Sequence, residues 1–158
     1  ETARTFDSRI KQVKVIFRDE ERKIFIINSM GQQTEETQTQ TIFLAQTVAG
    51  DGSILETGYE AIGGIIGLEL FDNNSHVRAA RTAARRAITM LEAPHAPKGE
   101  MPVILSSAAG GTMVHEAIGH GLEADLAQQG LSKYSGKKGE KVANSLTTVV
   151  DDPTLPNR

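Results

Sequence analysis

The stretch from Gly110 to Asp125 contains the residues best suited to chemistry: His115 and His120, with Glu116 directly after the first. Neutral imidazoles hold a zinc-like cation, and a neighbouring carboxylate takes a proton from water held by that cation. The residue types and their order therefore point to metal-dependent hydrolysis. Two histidines within six residues also occur by chance, and a histidine on an apolar helix is more often a hydrogen-bonded core residue. The spacing decides what the backbone must do.

On a regular helix of roughly 3.6 residues per turn, positions i and i+5 point about 140° apart. The common zincin motif avoids this by placing its histidines at i and i+4. A regular helix through His115 and His120 would not chelate. The spacing predicts a π-type widening or a break over residues 117–121, where Gly119 and Gly121 tolerate distortion. Upstream, Met101–Ser106 reads as a short buried strand and Ser107–Gly111 as a small-residue turn leading into the motif helix. Glu123, three residues after His120, is placed to orient that imidazole, and it reads equally well as an ordinary solvated acid, like Asp125.

Composition narrows the functional classes. The 158 residues make one domain or a little more, enough to bury a core. A net charge of −3 gives no overall basic field for nucleic acid, and no apolar run approaches the ~20 residues of a membrane span. The absence of cysteine excludes disulfides and thiol catalysis within the chain and is compatible with a reducing cytoplasm. The polar start at Glu1, without methionine or signal peptide, reads as an excised or processed end.

The order of elements predicts an α+β fold: an antiparallel β meander followed by a helix, a strand and the motif-bearing helix. Residues 1–72 are expected to be mainly antiparallel strands. Residues 73–158 are expected to carry helix, strand and motif helix, and then a polar tail. Lys11–Phe17 and Lys23–Asn28 read as two strands joined by a charged turn at Arg18–Arg22. Thr37, Thr39 and Thr41 run at period two into Phe43, Ala45 and Thr47, predicting a long solvent-facing strand. Gly50–Ser53 predicts a hairpin returning through Ile54–Tyr59, which makes about four strands in all. Gly63, Gly64 and Gly67 lack the lysine of a phosphate loop and read as a bend in an edge strand.

Asn73-Asn74-Ser75 offers a cap for an amphipathic helix through Val77, Ala80, Ala84, Ala87, Ile88 and Leu91, ending before Pro94. Arg78, Arg81 and Arg85 form its solvated face, and His76 and His95 are read as surface or capping residues. After the motif, Gly130 is a natural C-cap, residues 131–141 form a polar loop beside the cleft, and Val142–Val150 predicts a last strand before an irregular tail at 151–158.

The run from His115 to Asp125 resembles the HExxxH signature of the TldD branch of the TldD/PmbA metalloprotease family, whose members are also labelled modulators of DNA gyrase. Gly110-Gly111, Gly58-Tyr59-Glu60, Gly63-Gly64 and Asp151-Asp152-Pro153 fit the same pattern. The resemblance implies that His115 and His120 bind zinc and that Glu116 is the general base. It further implies a cytoplasmic peptidase acting on unfolded or small peptides and working as a homo- or heterodimer with a family member. In that family a cysteine from a C-terminal domain supplies the third metal ligand, and this chain has none. The expectation is thus the N-terminal and middle portion of a longer enzyme, lacking its C-terminal domain, binding zinc weakly and hydrolysing little by itself. A non-catalytic protein-binding module or regulatory subunit, presenting the Thr-rich strands or the lysine loop, is the alternative.

Overall fold

The computed structural model describes residues 1–152 and 154–156, and the chain forms two compact units, one built on Glu1–Ala96 and the other on Pro97–Asp151. In the first unit, β1 (Ile10–Ile27), β2 (Gln33–Asp51) and β3 (Ile54–Gly64) form an antiparallel sheet in the order β1-β2-β3. The β2–β3 hairpin turns at Gly52, whose φ of 58° suits glycine. A short 3₁₀ turn (Leu68–Asn74) leads into helix α1 (Ser75–Glu92). The two asparagines before it take left-handed conformations without capping through their side chains. In the second unit, α2 (Ser107–Val114) continues through the motif, and α3 (Ala124–Gln128) follows.

The α+β class is as expected, but the meander has three strands. The charged turn predicted at Arg18–Arg22 is continuous strand within β1, paired from Arg18↔Ile42 to Arg22↔Gln38. Opposite charges along the strand explain this: Glu20 pairs with both Arg18 and Arg22, and Lys23 lies 3.6 Å from Glu21. A strand exposed on both faces keeps such residues hydrated, so no turn is needed. Beyond Thr41↔Gly64, where β3 ends, β1 and β2 run on as a two-stranded ribbon. Its tip is closed by Asn28, whose Oδ1 accepts from the Met30 and Gln32 amides at 3.0 and 3.1 Å.

Two other predicted strands do not form. Residues 101–106 and 142–150 are irregular chain. Both runs have strand-like composition, yet neither finds a partner strand, and side-chain preference alone does not hold a strand in water. The small-residue turn predicted at Ser107–Gly111 is instead the first part of α2.

The core of the first unit is made of short side chains. Ala49, Ala84, Ala87 and Ile88 pack with Ala3 and Ile10, so α1 sits close on the sheet. Gly58 marks the nearest approach. A Cβ there would lie 2.2 Å from the Ala83 carbonyl oxygen and 2.3 Å from the Ala87 nitrogen. Buried Thr41 donates its hydroxyl to Asp19 at 3.2 Å, tying β2 to β1.

An ion-pair network ties the N-terminal segment to α1: Arg9 reaches Asp7 at 2.9 Å and Glu92 at 2.8 Å. The hydrogen bonds from Arg9 hold the Asp7 carboxyl down at about 2. A carboxyl lowered on folding contributes stability that is present above its unfolded value, near 3.9, and is lost as pH falls through about 2. Thermal unfolding between pH 4 and pH 2 should therefore show a slope that Asp7→Asn reduces. An unchanged slope in the variant would remove Asp7 from this account.

Candidate metal centre

The motif helix widens where the histidine spacing requires it. After α2, the π turn His115–Gly119 is followed by a 3₁₀ turn, His120–Leu122. The His120 amide donates to the His115 carbonyl five residues back, the bond that defines a π turn. The backbone stays right-handed through Gly119 (φ −54°, ψ −55°) and leaves the helix at Glu123 (ψ 130°). The two imidazoles consequently lie on one side, with ring centroids 4.5 Å apart and planes at 69°.

His115, Glu116 and His120 each bring a ligand atom into a group whose members lie within 4.8 Å of one another, and all three residues are exposed. His120 Nε2 is 3.7 Å from Glu116 Oε2. On its other side, His120 Nδ1 is 2.8 Å from Glu123 Oε1. That hydrogen bond and the charge of Glu123, with a smaller contribution from Glu116, raise the His120 pKa above its ordinary value against the opposing effect of burial. The same contact leaves Nε2 on the side of Glu116. Glu123 thus holds the ring, while Asp125 bonds only its neighbour's amide at Leu126.

The other sequence candidates lie elsewhere. His95 is exposed. His76, expected at the surface or as a cap, is half-buried at the start of α1: its ring packs edge-on against Phe43 and Phe71, and its Nδ1 is buried without a hydrogen-bond partner. Arg78, Arg81 and Arg85 are solvated as expected.

Two residues that sequence reasoning passed over support the motif. Tyr134 lies against Gly121, where an added Cβ would be 2.7 Å from the ring. Ser132 donates its hydroxyl to the Gly121 carbonyl and accepts from the Tyr134 amide at 3.1 Å. The loop after α3 is thereby fastened against the 3₁₀ turn that follows the π turn. It begins at Gly130, whose φ of 73° lets the Leu131 amide close the helix on Leu126. A cleft of about 510 Å³ opens beside His115, Gly119 and Glu123, with Val149 and Val150 on its wall. A second of about 510 Å³ lies between Ile118, Leu122, Tyr134 and Lys141. The polar loop borders the second cleft, through Tyr134 and Lys141, and not the one beside His115.

Comparison with known proteins gives the chain a family. Residues 1–91 match the PmbA/TldA metallopeptidase central domain, and residues 98–158 match the C-terminal domain of the same group. The chain belongs to the PmbA/TldD metallopeptidase family. Within this family it is 34% identical to a metalloprotease of Methanothermobacter thermautotrophicus over 89% of its own length and 31% of that protein. It is 36% identical to a metalloprotease of Methanocaldococcus jannaschii over 94% of this chain and 33% of that one. A metalloprotease TldD homolog of Haemophilus influenzae is 33% identical across 99% of the chain and 34% of the relative. The chain thus spans about a third of the length of the curated relatives it matches. The histidine motif falls in the stretch matched to the C-terminal domain. Among the described residues, no helix is long and apolar enough to cross a membrane.

Proposed function

We propose that the chain contributes the metal-binding and proton-transfer residues of a zinc peptidase acting on small or unfolded peptides. The observation that carries this reading is the π turn, which sets His115, Glu116 and His120 on one side of the helix. The two imidazoles suit zinc, exposed and within reach of one ion, with the Glu116 carboxylate beside them. A bound zinc ion would supply a Lewis acid that polarises a peptide carbonyl and acidifies a water molecule.

The protein's residues perform the remaining tasks. His115 and His120 would hold the ion as neutral rings. Glu123 fixes the ring orientation of His120 through Nδ1. The Glu116 carboxylate, beside His120 Nε2, accepts a proton from the attacking water and delivers it to the departing amine. The open cleft beside His115 admits an extended peptide more readily than a folded surface. With two imidazoles and no cysteine, the chain falls short of the usual three protein ligands unless Glu116 serves as one, so zinc binding by this chain is weak.

The test is peptide hydrolysis by the full-length gene product, expected to disappear on chelation, return with zinc, and be absent from His115→Ala and His120→Ala. Turnover that survives both chelation and those substitutions overturns the reading and favours a non-catalytic binding module. A finer test concerns Glu123. Glu123→Ala should weaken zinc binding by roughly 10–100-fold well above neutral pH. Because Glu123 raises the His120 pKa, a proton competes with the metal more strongly in the wild type. The gap between the two should therefore narrow as pH falls through the His120 titration, and zinc titrations at several pH values would show whether it does.

A further inference from the structure

No step of the hydrolysis uses the cleft of about 510 Å³ that Tyr134 and Lys141 line, yet this cleft is built on the same segment as the metal ligands. Ile118, on its wall, lies inside the π turn between His115 and His120, and Leu122 ends the 3₁₀ turn that follows. Leu122 and Val149 line both this cleft and the one beside His115, so the two compartments share a wall. A peptide held at the metal ligands has the Lys141 cleft as its neighbouring space.

The chemistry of the two linings differs in sign. Lys141 is the only charged residue described in the second cleft, among apolar walls that include Val142 and Val149. It is exposed and forms no ion pair among the described residues. Asn144 lines the same cleft, and its Oδ1 already accepts from the Leu146 amide at 2.9 Å. What Asn144 has left to offer is its Nδ2 donor. An ammonium and an amide donor therefore stand in this cleft with no acid beside them. The cleft beside His115 carries the acids Glu123 and Asp151 instead.

Donors on apolar walls select an anion with hydrocarbon attached, and the anion that an unmodified peptide carries is a carboxylate. We propose that the second cleft is a specificity subsite for a substrate carboxylate, in which Lys141 pairs with the carboxylate, Asn144 Nδ2 donates to it and the apolar walls take the hydrocarbon next to it. The carboxylate is supplied by the C-terminus of the peptide or by an Asp or Glu side chain. This rests on the peptidase reading above. Lys141 then sets which peptide is cut, and the proton transfers stay with Glu116.

The test uses the full-length gene product and one peptide in three forms: a free C-terminal carboxylate, the C-terminal amide, and the amide with a Gln near its end exchanged for Glu. At least one carboxylate form should have a KM roughly three- to tenfold below that of the plain amide at similar kcat. A low KM for the free acid names the C-terminus as the source, and a low KM for the Glu-containing amide names the side chain. Lys141→Met should erase the difference and Lys141→Arg should keep it. Lys141→Glu should make the carboxylate forms the poorer substrates, which a loss of structure would not do. Lys137→Met, in the same loop but outside this lining, should change nothing, and metal content should be alike in all the variants. Hydrolysis that stops on chelation yet shows equal KM for the three forms, or a preference that Lys141→Met leaves intact, overturns the subsite and leaves the peptidase reading standing. If no form is cut, equilibrium binding of the same peptides, fluorescently labelled, decides. Tighter binding of a carboxylate form that Lys141→Met abolishes keeps the subsite while the peptidase reading falls, and equal binding overturns both.

Discussion

Glu116→Gln should reduce peptide hydrolysis by the full-length gene product by roughly 10²–10⁴-fold or more, while metal uptake is retained. Glutamine keeps the size and shape of the side chain and can still donate and accept hydrogen bonds. What it lacks is a carboxylate able to take a proton. His115 and His120 remain, and Glu123 still orients His120 through Nδ1, so the imidazole pair is preserved. The informative comparison is with His115→Ala, which should lose metal and turnover together. Metal content and hydrolysis measured on the same preparations separate the two cases. Retained turnover in Glu116→Gln would remove Glu116 as the base, whereas parallel loss of metal would make it a ligand.

The second large effect is structural. Gly58→Ala should destabilise the first unit by roughly 2–4 kcal/mol, at or above the usual range for overpacking a tight contact. The reason lies in which atoms the new methyl meets. The Ala83 oxygen at 2.2 Å, the Ala87 nitrogen at 2.3 Å and the Arg86 carbonyl carbon at 2.9 Å all belong to the main chain of α1. No rotamer change clears them, so the helix must lift from β3. The denaturant midpoint should fall with little change in slope. Trimming Ala83 to glycine should not rescue the variant, because the clash is not with its side chain. Rescue by that change would show that the helix and strand are spaced by side chains instead.

These two positions differ in how readable they are. Glu116 announces itself by type and neighbours, and the five-residue histidine spacing carries its own backbone requirement, so the π turn was legible before any coordinates. Helix α1 was equally legible, because its alanines recur at helical spacing between an asparagine pair and a proline. Gly58 fits the family pattern, but nothing in its neighbours says why a glycine is needed there. Its requirement comes from a helix some 25 residues later in the sequence, and local pattern does not report long-range approach. The same holds for Gly121, whose partner is the ring of Tyr134.

The missed strands fail for a related reason. Arg18–Arg22 looks like a turn because charges cluster there, yet along a ribbon exposed on both faces those charges neutralise each other. Residues 101–106 and 142–150 look like strands because they are rich in apolar and β-branched residues, but a strand exists only with a neighbour. Element type is local information, whereas pairing is not.

No described residue of Pro97–Asp151 is buried, although this unit contains the candidate metal centre. With so little packing to oppose local opening, metal binding depends on the fraction of chains that holds His115, Glu116 and His120 in the arranged form. The apparent dissociation constant of a ligand equals its intrinsic value divided by that competent fraction. Metal affinity at this site would accordingly be a reading of order as well as of chemistry. Anything that covers Ile104, Leu146 or Val150, which stand 100%, 94% and 74% exposed, raises the competent fraction and tightens the metal without touching it.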